Sequence, residues 1–176
     1  MTLQLDDSEL ANNPNTRVPI CIALDVSGSM HGNKIDELNR GVNIFLKTIF
    51  EDEITRYSAD IAILTFGGTV NKILDFGDIE NIKISNVSAG GLTPMGEAVL
   101  KALDMLEDRE KQYGENAVYY WKPWLFIMSD GAATDDIEIA AKKTCNLIKN
   151  NKLDLYLIPI LPGTPDELNK FCGTTI

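Results

Sequence analysis

The sequence predicts an α/β fold with a doubly wound, mostly parallel central sheet, helices on both faces and one antiparallel edge strand. Short apolar runs alternate along the chain with segments of helical period, and this alternation is typical of parallel sheets. A Gly67-Gly68 pair between two strand-like runs is a hairpin signal, so one strand should run antiparallel. The length of 176 residues suffices for one domain with a sizeable core.

The first half of the chain predicts three strands and one helix. The apolar run over residues 18–25 is the first strand. Apolar side chains at three- and four-residue spacing then predict a helix over residues 34–50, with Asn33 as its N-cap. Residues 60–66 predict the second strand. Residues 69–76, beyond the glycine pair, predict the antiparallel strand at a sheet edge.

The second half continues the alternation after a loop over residues 77–92. A helix is expected over residues 94–110, with Pro94 at its first position, where proline is favourable. Residues 124–130 predict the fourth strand. Asp135 or Asp136 should open the next helix, as N-cap or first-turn acid, and that helix should end near residue 150. Residues 153–161 predict the fifth strand.

The two ends of the chain carry separate expectations. Residues 1–16 are polar and without a period, so we expect a flexible tail, with one domain over residues 17–176. A short helix should begin near residue 164 and end at Gly173. Residues 174–176 look like the start of a further strand, and we expect that a final strand and helix are lacking.

Charge and hydropathy exclude several classes of function. A net charge of −10 disfavours nucleic acid and anionic membranes as partners, because both require a basic surface. No apolar run approaches the 18 residues that suggest a membrane span, and the N-terminal residues do not have the pattern of a signal peptide. A cytoplasmic location is therefore expected.

The three cysteines, Cys21, Cys145 and Cys172, are too few and too scattered for a disulfide framework or a zinc site. Cys21 falls in the first predicted strand and Cys145 in a predicted helix. We expect both to be buried free thiols.

Oxygen-bearing side chains follow two of the apolar strands. The segment Asp25-x-Ser27-x-Ser29 presents a carboxylate and two hydroxyls at alternate positions, a pattern that suits a hard divalent cation. Thr93, in a Gly-Gly-Leu-Thr-Pro turn, and Asp130, after the fourth strand, are further candidate ligands. In a parallel α/β sheet, sites form at the carboxyl ends of strands near a topological switch point, where Asp25 and Asp130 are expected.

This set resembles the metal-ion-dependent adhesion site of von Willebrand factor A (VWA) domains, which have a Rossmann-like fold. The order of motifs and strands matches over residues 17–173. Within that superfamily, residues 121–124, 129–135 and 171–173 are most similar to bacterial tellurium-resistance TerY-like proteins. One departure is Leu92, which separates the glycine pair from Thr93 where many members have Gly-Gly-Thr.

The resemblance implies specific roles for the five site residues. Ser27, Ser29 and Thr93 would contact the metal directly, while Asp25 and Asp130 would hold its waters and orient the serines. Oxygen ligands favour Mg²⁺, with Mn²⁺ or Ca²⁺ as alternatives, over Zn²⁺. Neutral hydroxyls leave the ion electrophilic, so an anionic ligand from outside would complete its coordination.

The resemblance also implies a function, a metal-dependent protein–protein interaction module in a bacterial stress-response or tellurite-resistance system. The partner protein would supply an Asp or Glu to the metal. Relatives are encoded beside a Ser/Thr kinase and a PP2C-type phosphatase, which are therefore candidate partners. Four residues around the motifs are expected to form the contact rim: Met30, His31, Leu92 and Pro94.

An enzyme is the main alternative. Phosphatases of the haloacid dehalogenase class also place a nucleophilic Asp, here Asp25, after a first strand and bind Mg²⁺ through later Asp residues. They require a second acid two residues beyond the nucleophile, and Ser27 cannot serve as that acid near neutral pH. A Ser–His–Asp hydrolase fits less well, because Ser29 has no Gly-x-Ser-x-Gly frame. An adaptor that has lost its metal is a third interpretation.

Overall fold

The computed structural model describes residues 15–77, 85–160 and 166–176, and within them six strands form one sheet. The strands are β1 (Val18–Asp25), β2 (Ala59–Gly67), β3 (Thr69–Leu74), β4 (Trp124–Ser129), β5 (Asp154–Pro159) and β6 (Thr174–Thr175). The helices are α1 (Asn33–Glu51), α2 (Glu53–Ser58), α3 (Met95–Glu115), α4 (Glu138–Lys149) and α5 (Asp166–Asn169), and a 3-10 turn spans Gly28–Met30.

The sheet has the strand order β3-β2-β1-β4-β5-β6. Every neighbouring pair is parallel except β2 and β3, which are antiparallel, so β3 is the predicted antiparallel edge strand. The order reverses direction between β1 and β4, and this boundary is the topological switch point. The predicted fold class is confirmed.

The core consists of two apolar layers, one on each face of the sheet. On one face, Leu38, Val42 and Ile49 of α1 pack against β1 and β2. On the other face, α3 and the start of α4 cover β1, β2, β4 and β5 with small and branched side chains. The strands are therefore buried on both faces, which explains why they form nearly continuous apolar runs in the sequence.

Local details of the helix ends differ from the predictions. The N-cap of α1 is Gly32, with φ of 79°, and Asn33 is the first helical residue, so the predicted cap is wrong by one position. Pro94 precedes α3 as its N-cap residue instead of occupying the first turn. Helix α2 was not predicted; its start is stabilised by Asp52, whose carboxylate accepts a 2.7 Å hydrogen bond from Thr55 N.

Parts of the predictions lie outside the described residues, among them residues 1–14 of the expected tail. The same is true of residues 78–84 of the expected loop and of the expected helix start near residue 164. The strand expected at residues 174–176 begins as predicted, because Thr174 and Thr175 pair with β5. In the ranges that the structure describes, no helix combines the length and apolar character needed to cross a membrane.

Cys145 and Cys172 form a disulfide, so the prediction that Cys145 is a buried free thiol is wrong. Although 27 residues separate the two cysteines, the chain returns from α5 to the side of α4, and their Cα atoms are 5.3 Å apart, within the range for a disulfide. Cys21 is a buried free thiol, as predicted. Burial, with a smaller contribution from Asp75, raises the pKa of the Cys21 thiol to about 12.

We expect Cys172→Ser to lower the free energy of unfolding by about 3–4 kcal/mol, because a cross-link across a loop of this length restricts the unfolded chain. Urea denaturation with and without a thiol reductant measures the loss. Reductant should lower the stability of the wild type to that of the variant and leave the variant unchanged. Three titratable thiols in the unreduced, denatured wild type would contradict the disulfide.

Candidate metal centre

The site is built where β1 and β4 end side by side. Asp25 is the last residue of β1, and Asp130 directly follows β4. Because Leu24 pairs with Met128 in parallel register, the residues that follow them emerge from the same edge of the sheet. The switch point therefore brings together two predicted site residues that are more than a hundred positions apart in the chain.

Asp25 is fully buried and held from two sides. Its Oδ1 accepts a 2.8 Å hydrogen bond from Ser27 N, and its Oδ2 accepts a 2.5 Å hydrogen bond from Ser129 Oγ. Burial raises the pKa of the Asp25 carboxyl and the negative charge of Asp130 raises it further, while the hydrogen bonds from Ser129 and Ser27 oppose the rise. Two neighbouring carboxylates in this environment favour the approach of a cation.

The two serines form a cluster of hydroxyl oxygens beside the carboxylates. Ser27 Oγ lies 3.0 Å from Ser29 Oγ, and Ser29 Oγ donates a 2.7 Å hydrogen bond to Asp130 Oδ1. Neighbouring oxygen ligands of an octahedral Mg²⁺, each about 2.0–2.1 Å from the ion, lie about 3 Å apart. The spacing of the serine oxygens thus fits adjacent coordination positions, and Asp130 is placed to orient one of them.

No three side chains of His, Cys, Asp or Glu come together to hold a metal ion anywhere in the described ranges. An ion at this site would therefore depend on the serine and threonine hydroxyls for direct ligands, with the carboxylates behind them. Such a donor set fits a hard cation such as Mg²⁺ or Mn²⁺.

The loop that carries Thr93 is held against the loop after β1 by close contacts between glycine-rich segments. Gly28 N donates a 3.0 Å hydrogen bond to Gly91 O, and Gly90 N donates a 2.7 Å bond to Val26 O. Gly91 has φ of 79°, and a Cβ atom there would lie 2.5 Å from Gly68 N. Gly91 is needed at this turn because its φ is positive and the backbone of Gly68 approaches too closely for a side chain.

Thr93 itself is held in place by the loop that follows β4. Thr93 N donates to Thr134 Oγ1 and Thr134 N donates to Thr93 O, both at 2.9 Å. Asp135 or Asp136 was expected to open the helix that follows them. The carboxylate of Asp135 instead accepts hydrogen bonds from Gly96 N and Glu97 N and so caps α3. At the start of α4, it is Asp136 that accepts a bond from Glu138 N.

The additional residue Leu92 is accommodated with its backbone bonded and its side chain at the surface. Its carbonyl accepts a 2.7 Å hydrogen bond from Gly68 N, and its side chain is 67% exposed. The insertion therefore points an apolar side chain outward beside the site.

Two of the four expected rim residues are not at the surface. Met30 is fully buried in the layer beneath α1, and Pro94 is buried at the start of α3, so neither is available to contact a partner. The apolar side chain of Met30 belongs to the core layer on that face of the sheet. His31 and Leu92 are exposed, and the predicted rim is reduced to these two.

Two functional candidates were missed by the sequence analysis. Ser129, which holds Asp25, is a polar residue at a buried position of β4, and that combination was a usable signal. Lys34 Nζ donates to Asp130 Oδ2 at 2.5 Å and to Ser29 O at 3.0 Å. No local pattern identifies Lys34, because the contact joins residues 96 positions apart.

The motifs and the fold together point to one family, and the family model of the von Willebrand factor type A domain matches residues 20–132. The chain belongs to this family. The matched region runs from β1 into the loop after β4, so it contains all five residues of the predicted metal site.

Solved structures share the fold of this VWA domain at low sequence identity. The ArnB paralog VWA2 of Sulfolobus acidocaldarius has a TM-score of 0.60 and 17% identity, over 92% of this chain and 41% of that one. The manganese-loaded TRAP protein of Plasmodium vivax has a TM-score of 0.61 and 18% identity, over 89% and 61%. Proximal thread matrix protein 1 of the mussel byssus has a TM-score of 0.61 and 14% identity, over 93% and 44%.

The matched structures are considerably longer than this chain, which spans between 41% and 61% of their lengths. No curated protein matches the sequence.

Proposed function

We propose that this VWA domain is a metal-dependent protein-binding module. Ser27, Ser29 and Thr93 would hold a divalent cation, with Asp25 and Asp130 balancing its charge from behind. The observation that carries the proposal is the cluster at the switch point, where the serine oxygens lie 3.0 Å apart and Ser29 is bonded to Asp130. VWA domains in general mediate adhesion and interaction, often through a metal ion, and are not enzymes.

Mg²⁺ is the proposed ion, with Mn²⁺ or Ca²⁺ as alternatives. The 3.0 Å spacing of the serine oxygens is compatible with adjacent ligands of Mg²⁺, and oxygen ligands suit hard divalent cations. The manganese-loaded TRAP protein, which shares the fold, supports a divalent cation of this kind. When bound, the ion would supply an electrophilic centre for one external oxygen ligand.

The partner would supply a carboxylate from Asp or Glu to that ion. The net charge of −10 repels acidic proteins at long range, so a partner would gain most by surrounding its carboxylate with basic or apolar groups. The exposed side chains of His31 and Leu92 lie beside the site and would form the contact rim. Neither nucleic acid nor a membrane is a proposed partner, because the domain is acidic.

The biological setting is proposed from the TerY-like resemblance of the sequence. It is a bacterial stress-response or tellurite-resistance system in which a Ser/Thr kinase or PP2C-type phosphatase of the same operon is the partner. A cytoplasmic location belongs to this proposal. It would require the Cys145–Cys172 pair to be largely reduced, because disulfides are rare in a reducing cytoplasm.

Catalysis is not part of the proposal. A phosphatase of the haloacid dehalogenase class needs Asp25 as an accessible nucleophile and an acid two residues later. Asp25 is fully buried with both oxygens in hydrogen bonds, and the second position is Ser27, whose N–H is one of the donors. These contacts favour a structural role for Asp25 behind a metal ion over attack on phosphorus.

Affinity capture from a lysate of the source organism tests the proposal. With Mg²⁺ present, the wild-type domain should retain a partner that Ser29→Ala loses at least tenfold, because the variant lacks a metal ligand. Excess chelator should have the same effect on the wild type. Lys47→Met, an exposed change on α1 away from the site, should retain the binding. A partner captured equally well in chelator would contradict a metal-dependent module.

A further inference from the structure

Lys34 places a positive charge inside the candidate metal centre. It is the second residue of α1, and its side chain is 30% exposed, whereas the side chain of Asp130 is fully buried. The ammonium donates to Asp130 Oδ2 at 2.5 Å and to the backbone oxygen of Ser29 at 3.0 Å. Lys34 therefore connects the loop after β1 to the residue after β4.

The carboxylate of Asp130 is the group for which the Lys34 ammonium and a metal ion would compete. Asp130 Oδ1 accepts a hydrogen bond from the Ser29 hydroxyl, and Asp130 Oδ2 accepts one from Lys34 Nζ. Both carboxylate oxygens thus have donors, and one of the donors is a full positive charge. A divalent cation bound through Ser29 would lie close to this ammonium, and like charges at such distances repel strongly where water is partly excluded.

We infer that Lys34 is a tethered cation that competes with the metal ion for Asp130 and so sets the metal affinity of the site. The inference rests on the proposed metal-binding function and deepens it. The lysine side chain is flexible and partly exposed, so the ammonium can leave Asp130 and turn to solvent when a divalent ion binds. Metal binding then includes the loss of one partly buried, charge-assisted ion pair.

This competition predicts that removal of the positive charge strengthens metal binding. Lys34→Met should lower the dissociation constant for Mn²⁺ by about tenfold or more, the effect expected when a charge-assisted hydrogen bond no longer has to be broken. Lys34→Arg keeps the charge and should stay within about threefold of the wild type. Mn²⁺ is the probe because its free concentration is read directly by electron paramagnetic resonance, at constant ionic strength and pH.

Lys47→Met is the matched control. Lys47 lies on the same helix, is 74% exposed and pairs with Glu51 at 3.7 Å, so the substitution changes the net charge equally at a distance from the site. It should change Mn²⁺ affinity less than twofold. A gain in affinity of the same size in Lys47→Met would show a general effect of net charge and overturn the role of Lys34.

The outcomes separate this inference from the function on which it rests. If the wild type binds Mn²⁺ and Lys34→Met binds it equally or more weakly, the metal site stands and the competition is wrong. If Lys34→Met binds and the wild type does not, the competition is supported in its strongest form. If neither binds Mn²⁺ while both remain folded by circular dichroism, the proposed metal site and the competition are both overturned.

Discussion

Asp60→Asn is expected to lower the free energy of unfolding by about 3–5 kcal/mol, because it leaves a buried arginine without its counter-charge. Asp60 and Arg109 are 2% and 4% exposed, and Arg109 Nε lies 2.6 Å from Asp60 Oδ2. The hydroxyl of Tyr113 donates to the same oxygen, and Gly77 N donates to Oδ1 at 3.0 Å. Burial lowers the pKa of the Arg109 guanidinium, but Asp60 and Tyr113 together more than reverse this and the net pKa is raised.

Chemical denaturation measures this loss, and Asp108→Asn is the control. Asp108 lies beside Arg109 on α3, but its pair with Lys111 is exposed, and such pairs contribute at most about 1 kcal/mol. In a domain of this size the Asp60 variant should melt roughly 10 °C lower than the wild type. A loss equal to that of Asp108→Asn would show that the buried pair contributes no more than an exposed one.

Asp60→Asn should leave metal binding intact, since Asp60 lies at the opposite end of the sheet from the site. It pairs with Pro19 near the start of β1, whereas Asp25 ends that strand beside Phe66. The variant therefore also tests whether a loss of stability alone weakens Mn²⁺ binding. If the folded variant and the wild type differed in Mn²⁺ affinity, the expectation that Asp60 does not influence the metal site would be wrong.

Added Mg²⁺ or Mn²⁺ should raise the melting temperature of the wild type by about 5–10 °C. A ligand that binds only the folded state at a hundredfold excess over its dissociation constant stabilises by about 2.7 kcal/mol, and each kcal/mol shifts a domain of this size by a few degrees. Ser29→Ala should abolish the shift, because Ser29 contributes one of the two clustered hydroxyls. Differential scanning fluorimetry of both proteins, with added metal and with chelator, measures the shift in melting temperature.

Asp25→Asn is the better carboxylate variant for this experiment than Asp25→Ala. Because Asp25 is fully buried and accepts bonds from Ser27 and Ser129, alanine would leave those donors unpaired and destabilise the fold in its own right. Asparagine keeps the shape and removes the charge. His31→Ala should retain the full metal shift. Identical melting curves of the wild type in chelator and millimolar metal would exclude the site.

The sequence by itself determined the fold class, because the patterns that predict each strand and helix lie within short segments of the chain. Apolar runs and helical spacing reflect which side chains face the core, and the Gly67-Gly68 pair specifies the antiparallel turn between β2 and β3. The ends of elements were less accurate. Helix α1 takes its cap from Gly32 instead of Asn33, since the 3-10 turn before it sets where the chain enters the helix.

The sequence also identified the residue types of the site, since hydroxyls and carboxylates at the ends of apolar strands have a recognisable pattern. The structure brings four of the five predicted ligands into one bonded cluster and places the loop of Thr93 against it. Their role as metal ligands remains a prediction.

Only the tertiary structure decided which distant residues support that cluster. Ser129 beneath Asp25, Thr134 against Thr93 and Lys34 on Asp130 are contacts between segments about 40 to 104 residues apart. The pairing of Cys145 with Cys172 and the burial of Met30 are of the same kind. Such contacts follow from strand order and loop path, which arise when the whole sheet assembles and leave no periodic pattern in the chain.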